Sequence, residues 1–210
     1  MSGLFSMDSK FFAGLGKVAD LIILNVLFLI TSIPIITIGA SCTALYSVTL
    51  KMVKNEESYI AKSYFKNFIS NFKQATLSWL LLGGGSVFLL LEMRMIMSVG
   101  TGYMKYFVYF QIAILLILVM ALVFIFPLIA QYENSFKNML KNAILMPISR
   151  LPYAIIIMAI TFAPVIILFA IPQSISMILF LSILIGFSGI GYVNSFFLKK
   201  MFSVFNDPKE

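Results

Sequence analysis

The chain of 210 residues contains no histidine and a single cysteine, Cys42. One cysteine cannot form a disulfide within the chain, and the lack of histidine excludes Cys/His metal sites and His-activated nucleophiles. Acidic residues are also scarce, with eight Asp and Glu against fifteen Lys and Arg. The sequence contains no paired carboxylates that suggest acid–base chemistry. It therefore predicts a protein that is not an enzyme and binds no cofactor or metal.

Charge of either sign is rare, since 11% of the residues are charged and 61% are hydrophobic, with a mean hydropathy of +1.03. A soluble domain is nearer to half apolar and a quarter charged, so this composition is typical of a membrane protein. The net charge of +7 could indicate a nucleic-acid partner. Because the bases are scattered between apolar runs, anionic membrane lipids are the better prediction, with no nucleic acid.

Five uncharged or nearly uncharged runs approach the length of about 20 residues that a membrane helix needs. They are residues 18–38, 75–91, 106–130, 153–171 and 175–198. The first run carries Pro34, which neighbouring helices can accommodate in a membrane. We therefore predict an all-α fold, a single integral membrane domain over residues 1–210. It is a polytopic helical bundle of about five transmembrane helices with amphipathic surface helices.

A basic, amphipathic stretch occurs twice, as FKNFISNF at residues 65–72 and as FKNMLKNA at residues 136–143. In both copies the apolar residues recur at helical spacing and the lysines lie on the other side. Helices of this kind lie along a membrane surface. We predict amphipathic segments at residues 41–73 and 132–150, within a unit of span, surface helix and span that occurs twice. A chance match between two amphipathic helices explains so short a repeat equally well.

The distribution of lysine and arginine predicts the sidedness of the protein. With five spans and the N-terminus outside, residues 39–74, 131–152 and 199–210 hold most of the basic residues. Cytoplasmic loops carry an excess of such residues. We therefore predict a multi-pass cell-membrane protein with its N-terminus outside and its C-terminus and both repeated helices in the cytoplasm.

Two groups of residues are candidates for function. Asp20 and Asn25 are polar residues within the first predicted span, where they are costly; an interfacial cap and a helix–helix hydrogen bond are their ordinary roles. Glu56 and Glu57 are predicted in the first turn of the surface helix, where acids suit the helix dipole, and could also contact a partner. The other candidates for partner docking are the basic and aromatic residues of the two copies: Lys62, Phe65, Lys66, Lys73, Phe136 and Lys137.

The stretch from residue 24 to residue 82 resembles the signature region of the YesL family of bacterial integral membrane proteins. The resemblance is carried by Asn25, Ser32-Ile33-Pro34, Thr37-Ile38-Gly39, Ala44-Leu45-Tyr46, Glu56-Glu57 and Asn71-Phe72. Residues 141–158 are similar to the second block of the family, around Asn142 and Leu151-Pro152. The chain departs from the family at Ala40, where proline is frequent, and at Asn55, where glycine is frequent.

The resemblance extends over essentially the whole chain, but it implies no established biochemical activity. Members of the family are commonly encoded beside binding-protein-dependent sugar importers and polysaccharide-degrading enzymes. The resemblance therefore implies an accessory role in carbohydrate uptake, with permease subunits of an ABC-type sugar importer as partners. The alternative is that the chain is itself a permease or channel subunit, because its lysine-rich helix before Leu151-Pro152 is faintly similar to the coupling loop of importer permeases.

Overall fold

Nearly all of the residues that can be described lie in helices. The computed structural model describes the backbone of residues 2–56, 59–99 and 102–206 and the side chains of residues 14–56, 59–98, 102–103 and 106–203. Glu57 lies outside the described residues. No strand occurs within these ranges, which agrees with the need of a chain in lipid to satisfy its backbone hydrogen bonds internally.

The helices, numbered in chain order, are α1 (Ser2–Ser32), α2 (Ile38–Lys54), α3 (Ile60–Val99), α4 (Gly102–Gln131), α5 (Phe136–Ser149), α6 (Leu151–Ala170), α7 (Ile175–Leu181) and α8 (Phe187–Asn206). A π-helical turn, Ser182–Gly186, joins α7 to α8. In the part of the chain described, six helical segments are long and apolar enough to cross a membrane by length and composition. The prediction of an all-α polytopic bundle is confirmed, with six candidate spans in place of five.

The predicted first span, residues 18–38, is shorter in the structure because α1 ends at Ser32. Pro34 follows in an extended conformation, with φ −74° and ψ 115°. Proline has no N–H to continue the helical hydrogen bonds, and it disfavours a helical conformation in the residue before it. The chain therefore turns after α1, and residues 35–54 run back through the bundle as the additional candidate span.

α2 lies in the centre of the bundle, which corrects the prediction of a surface helix at residues 41–54. It is in contact with α1, α3, α4 and α8, and buried residues occur on all of its sides. Small and hydroxyl-bearing side chains allow such close packing: a Cβ atom at Gly39 would meet the carbonyl oxygen of Ala75 and would lie 2.7 Å from Cβ of Trp79. Lys51 and Lys54 do not make α2 a surface helix because they lie in its last turn.

Hydrogen bonds show that α1 and α3 are both antiparallel to α2. Ser41 Oγ donates to Thr31 Oγ1 at 2.9 Å, and Lys17 Nζ donates to Asn55 Oδ1 at 3.2 Å. The first pair joins the end of α1 to the beginning of α2, and the second joins an earlier residue of α1 to the end of α2. On the opposite side of α2, Trp79 Nε1 donates to the carbonyl oxygen of Ile35 at 2.9 Å. α1, α2 and α3 therefore form an up-down-up unit.

α8 runs parallel to α2, although it is far away in the sequence. Ser195 Oγ donates to Thr49 Oγ1 at 2.8 Å, and Lys199 Nζ donates to the carbonyl oxygen of Val53 at 3.4 Å. Both pairs are separated by 146 residues, and a constant separation is the mark of parallel helices. Gly191 permits this approach, because a Cβ atom there would meet Cδ2 of Leu45.

One end of the bundle collects the basic residues from several helices, and we call it the basic end. Lys17 at the beginning of the described side chains of α1 bonds to Asn55, and Lys199 near the end of α8 bonds to Val53. The five-span prediction has the N-terminus and the C-terminus on opposite sides. The structure differs, because the extra return through α2 brings the start of the first span to the same end as the end of the last.

The two copies of the repeated stretch have different structures. The first copy is the beginning of α3, which continues without a break for 40 residues. The second copy is the separate helix α5, which ends at Ser149 and is followed by Arg150 with φ −135° and ψ 52°. Pro152, in the first turn of α6, lacks the N–H that a continuous helix would need there. The predicted separate surface helix therefore exists in the second copy alone.

α2 divides the core into two clusters. On one side, Tyr46 and Leu50 pack with Phe124, Ile125 and Leu128 of α4 and with Met139 and Ala143 of α5. On the other side, Val48 and Met52 pack with Leu24 and Phe28 of α1 and with Tyr64 of α3. The first four turns of α3 are thereby fixed against α2, which determines the side that they present outward.

Candidate interaction surface

The first four turns of α3 present a row of exposed side chains that begins at the basic end and runs along the helix. The row, which we call the α3 face, contains Lys62, Phe65, Lys66, Ile69, Phe72 and Lys73. Their spacing of three and four residues places them on one side of a helix. Phe65 is 44% exposed and Ile69 is 72% exposed. An exposed surface that combines large apolar residues with lysines is suited to a membrane interface or to a protein partner.

The apolar stripe predicted for this segment is divided by the structure. Tyr64 is fully buried, and its hydroxyl lies 2.6 Å from Thr31 Oγ1. Phe68 is half-buried and stacks on Tyr64, with ring centroids 6.3 Å apart. These two residues hold α3 against α1 and α2, whereas Phe65 and Ile69 remain outside. The candidate residues Lys62, Phe65, Lys66 and Lys73 are therefore brought together on one face.

The turn between α2 and α3 is closed by Asn55, which has a left-handed conformation with φ 56° and ψ 34°. The N–H of Asn55 donates to the carbonyl oxygen of Met52, and the N–H of Glu56 donates to that of Lys51. This pattern is a Schellman motif, in which glycine or asparagine is favoured. Glu56 therefore belongs to the end of α2 and not to the first turn of the next helix, which corrects its predicted position.

Beside the α3 face lies a polar groove between α3 and the loop that follows α4, with a volume of about 540 Å³. Gln74 Nε2 closes one end by donating to the carbonyl oxygen of Asn134 at 3.1 Å. The polar side chains along the groove include Lys51, Lys66, Asn67, Asn71, Gln74 and Glu133. We call this site the amide groove.

α5 begins next to the amide groove but carries its candidate residues on a different support. Its helix is capped by Ser135, whose hydroxyl accepts from the N–H of Asn138 at 3.4 Å. Phe136 is half-buried and Lys137 is exposed. α5 packs on α4 and α6. Phe65 and Phe136 occupy matching places in the repeated sequence, but Phe136 is covered to a greater degree and is not an equivalent exposed anchor.

A second group of polar residues at the basic end connects three helices. Lys54 Nζ donates to Gln131 Oε1 at 3.0 Å, which joins α2 to the last residue of α4. Lys199 of α8 lines the same depression of about 370 Å³, together with Glu56. Gln131 and Asn134 were not among the sequence candidates. Their position directly after an uncharged run, at a membrane boundary, was the signal that could have identified them.

Asn25 is fully buried and holds the π-helical turn before α8. Its Nδ2 donates to the carbonyl oxygens of Ser182 and Ile183 at 3.0 and 2.8 Å, and its Oδ1 accepts from the N–H of Ser188 at 3.1 Å. A π-helical turn leaves backbone groups without their regular α-helical partners. Asn25 supplies partners for three of them. Asp20, the other intramembrane candidate, is half-buried one turn after Lys17, near the basic end.

Sequence reasoning missed a second buried polar group at the centre of the bundle. Asn194 of α8 donates its Nδ2 to Thr161 Oγ1 of α6 at 2.9 Å and, over 3.4 Å, to the hydroxyl of Tyr46. Asn194 Oδ1 and both amide atoms of Gln111 are buried without a hydrogen-bond partner among the described residues. Polar residues inside an apolar run are expensive, so Asn194 and Gln111 could have been identified by their position alone.

Among the described side chains, no group of three or more His, Cys, Asp or Glu residues is placed to bind a metal ion. Two described acidic residues at the basic end, Glu56 and Glu133, line different cavities. The features that distinguish this end are the lysines, the exposed apolar residues of the α3 face and the side-chain amides of the groove. These groups suit binding.

The long apolar helices define the class of this protein: an all-α helical bundle in which, among the described residues, six segments are long and apolar enough to cross a membrane. Residues 21–93 match a family model described as "Protein of unknown function, DUF624". The matched region covers the last part of α1, all of α2 and most of α3, including the α3 face. No curated protein and no solved structure matches the chain.

Proposed function

We propose that this chain is a non-enzymatic accessory protein that binds another membrane protein through the α3 face. The observation that carries the proposal is the combination of Phe65 and Ile69, both exposed, with Lys62 and Lys73 on a helix that the core holds firmly. Binding energy in protein interfaces is concentrated in a few apolar or aromatic anchors, surrounded by polar residues. A rigid helix that presents such anchors loses little entropy when it binds.

The partner that we propose is a permease subunit of an ABC-type carbohydrate importer, and oligosaccharide uptake is the process that the pair serves. This part of the proposal is supported by the resemblance of the sequence to the YesL family. The α3 face contributes a chemical requirement: the partner must offer an apolar pocket bordered by acidic residues. Glu56, at the other side of the turn, adds a negative charge that a basic residue of the partner could approach.

We further propose that the basic end faces the cytoplasm of a cell membrane. Lys17, Lys54, Lys66, Lys137 and Lys199 are at or near this end, whereas Arg94 lies close to the other end of α3. The positive-inside rule supports this orientation. With six spans, the N-terminus and the C-terminus are both cytoplasmic.

Co-purification in a mild detergent tests the proposed function. We expect the wild-type chain to retain importer permease subunits, and we expect the double variant Phe65→Ser/Ile69→Ser to lose them while remaining monodisperse. Retention of the permease by this variant would remove the basis for docking through α3.

A permease or channel subunit is the second candidate, and a specific observation favours it. The buried amides of Gln111 and Asn194 have unsatisfied atoms within the bundle, as residues along a solute pathway often do. Purified protein in liposomes separates the two functions. Sugar uptake by the chain alone would support a permease, whereas an accessory protein leaves the liposomes impermeable.

A further inference from the structure

The amide groove has a chemical character that differs from that of the α3 face. Its walls are Lys51 from α2, one side of α3 from Lys66 to Gln74, and the loop at residues 131–134. We propose that the groove binds the head group of an anionic lipid that carries a phosphodiester and vicinal hydroxyls, with phosphatidylglycerol as the occupant. This inference goes beyond the proposed docking function and does not depend on it.

The position of the groove identifies a lipid as the source of the ligand. Residues 66–74 directly precede the apolar run at residues 75–91, and the loop at residues 131–134 directly follows the run at residues 106–130. Both walls therefore stand where an apolar helix leaves the hydrocarbon region. Phosphodiester groups of lipids lie at this level.

The charges of the groove match a single phosphodiester. Lys51 and Lys66 contribute two positive charges and Glu133 contributes one negative charge, which leaves an excess of one positive charge. The Lys51 ammonium group makes a long bond of 3.4 Å to Ser63 Oγ. Because an ammonium group has three donors, further donors remain for phosphate oxygens.

The side-chain amides supply acceptors for hydroxyl groups. Asn67 Nδ2 donates to the carbonyl oxygen of Ser63 at 2.7 Å, and Asn71 Nδ2 donates to that of Asn67 at 3.2 Å. Gln74 is held in the same manner by Asn134. With their nitrogens tied to the backbone, the amide oxygens are left as acceptors. Together with the carboxylate of Glu133, they can accept hydrogen bonds from the two hydroxyls of a glycerol head group, which a bare phosphate does not offer.

Lipid-dependent stabilisation of the purified wild-type protein tests this proposal without any substitution. We expect phosphatidylglycerol to raise the Tm in detergent more than phosphatidic acid does, and phosphatidylcholine to have the smallest effect. Equal stabilisation by phosphatidic acid would overturn the recognition of hydroxyls. Glycerophosphoglycerol has the same head group but lacks acyl chains. Full stabilisation by this compound at millimolar concentration would contradict a lipid ligand and assign the groove to a soluble polyol phosphate.

A pair of matched variants then locates the site. In Lys51→Gln/Asn71→Leu we expect the half-saturating concentration of phosphatidylglycerol to rise about tenfold, through the loss of one cation and one fixed amide. The control Lys62→Gln/Asn142→Leu makes the same chemical changes outside the groove. It should change the half-saturating concentration of phosphatidylglycerol less than about twofold. Equal losses in both variants would show a diffuse attraction to surface charge and contradict the site. Neither Lys51 nor Asn71 belongs to the α3 face. Retention of the partner by Lys51→Gln/Asn71→Leu therefore separates a loss of lipid binding from a failure of docking.

Discussion

Lys17 in α1 donates a hydrogen bond to Asn55, the left-handed residue that ends α2, over 3.2 Å. The bond ties the beginning of the first span to the end of the second. An odd number of crossings would have separated these positions from the end of α8, but Lys199 lies at the same end, bonded to Val53. The Lys17–Asn55 pair therefore places the start of the first candidate span at the basic end.

This relationship predicts a topology that differs from the five-span arrangement. In a Cys42→Ala background, single cysteines at Gly14, Lys66 and Lys137 should all resist a membrane-impermeant thiol reagent in intact cells and react after permeabilisation. A cysteine at Arg94 should react in intact cells. Reaction of the Gly14 variant together with the Arg94 variant would restore the five-span topology, with the start of α1 outside.

The side chain of Asn25 should contribute measurably to stability. Replacement by leucine leaves the carbonyl oxygens of Ser182 and Ile183 and the N–H of Ser188 without the partner that they have now. The cost of unpaired buried groups, moderated by the modest strength of hydrogen bonds in membrane proteins, is about 1–3 kcal/mol. We expect Asn25→Leu to lower the Tm by roughly 3–10 °C for a chain of this size.

The matched control for Asn25 is Asn142→Leu, which makes the same change at an exposed position of α5. It should leave the Tm within about 1 °C of the wild type. If the two variants melt together, Asn25 does not hold the π-helical turn in place.

Gly39 should not tolerate a larger residue. In Gly39→Ala, the new methyl group meets the carbonyl oxygen of Ala75, a backbone atom that cannot turn away, and Cβ of Trp79 at 2.7 Å. Overpacking of this kind costs about 1–3 kcal/mol. Gly84→Ala on α3 is the control, because its Cβ has nothing within 4 Å. The yield of monodisperse protein and the Tm should fall for the first variant alone; normal behaviour of Gly39→Ala would contradict the close approach of α2 and α3.

The proposed docking through the α3 face makes a prediction about charge. Changing Lys62, Lys66 and Lys73 together to glutamine should weaken association with the importer, measured by co-purification. Attraction to anionic lipid depends on charge and is worth about 1 kcal/mol per lysine with little regard for position, whereas protein docking depends on position. Three new lysines at Tyr59, Ala61 and Ser70, all exposed near the face, restore the same charge at other positions and should therefore not restore binding. Recovery of association by the relocated charges would assign the lysines to lipid.

The apolar part of the α3 face allows an independent test with a matched control. Phe65→Ser/Ile69→Ser should reduce the recovery of the partner at least about fivefold, as expected when interface anchors are truncated. Leu145→Ser/Ile148→Ser removes two similarly exposed apolar residues from α5 and should leave recovery unchanged. An equal loss in both pairs would indicate a general effect of lipid contact.

The sequence was sufficient to predict the helices with long uncharged runs. The runs within α3, α4 and α6 are free of charge over a full membrane thickness, and length alone identifies them. α2 was misread because its hydroxyl groups resemble a polar face. In the structure these groups are satisfied within the bundle: Thr43 bonds to the carbonyl oxygen of Gly39 and Thr49 bonds to Ser195. A helix that is buried in protein on all sides has no periodic apolar stripe. Its position in the bundle therefore cannot be predicted from the sequence pattern.

The candidate surface was predicted only in part, because local spacing identifies residues on one helix but not contacts between helices. Lys62, Lys66 and Lys73 recur at helical spacing within a few turns, so local pattern places them on one side of α3. The amide groove depends instead on contacts between distant segments, such as Gln74 with Asn134. No local period connects these residues. Only the packing of α4 against α2 and α3 brings them together.

The parallel pairing of α2 with α8 sets a limit on the order in which this protein can be assembled during synthesis. The hydrogen bond between Thr49 and Ser195 and the contact between Leu45 and Gly191 each join residues 146 positions apart. Neither can form before α8 has been synthesised. Until α8 has been inserted, the side of α2 at Leu45 and Thr49 lacks the helix that packs against it. The early hairpin of α1 and α2 is therefore a provisional structure, and the bundle closes around α2 only when α8 has been inserted.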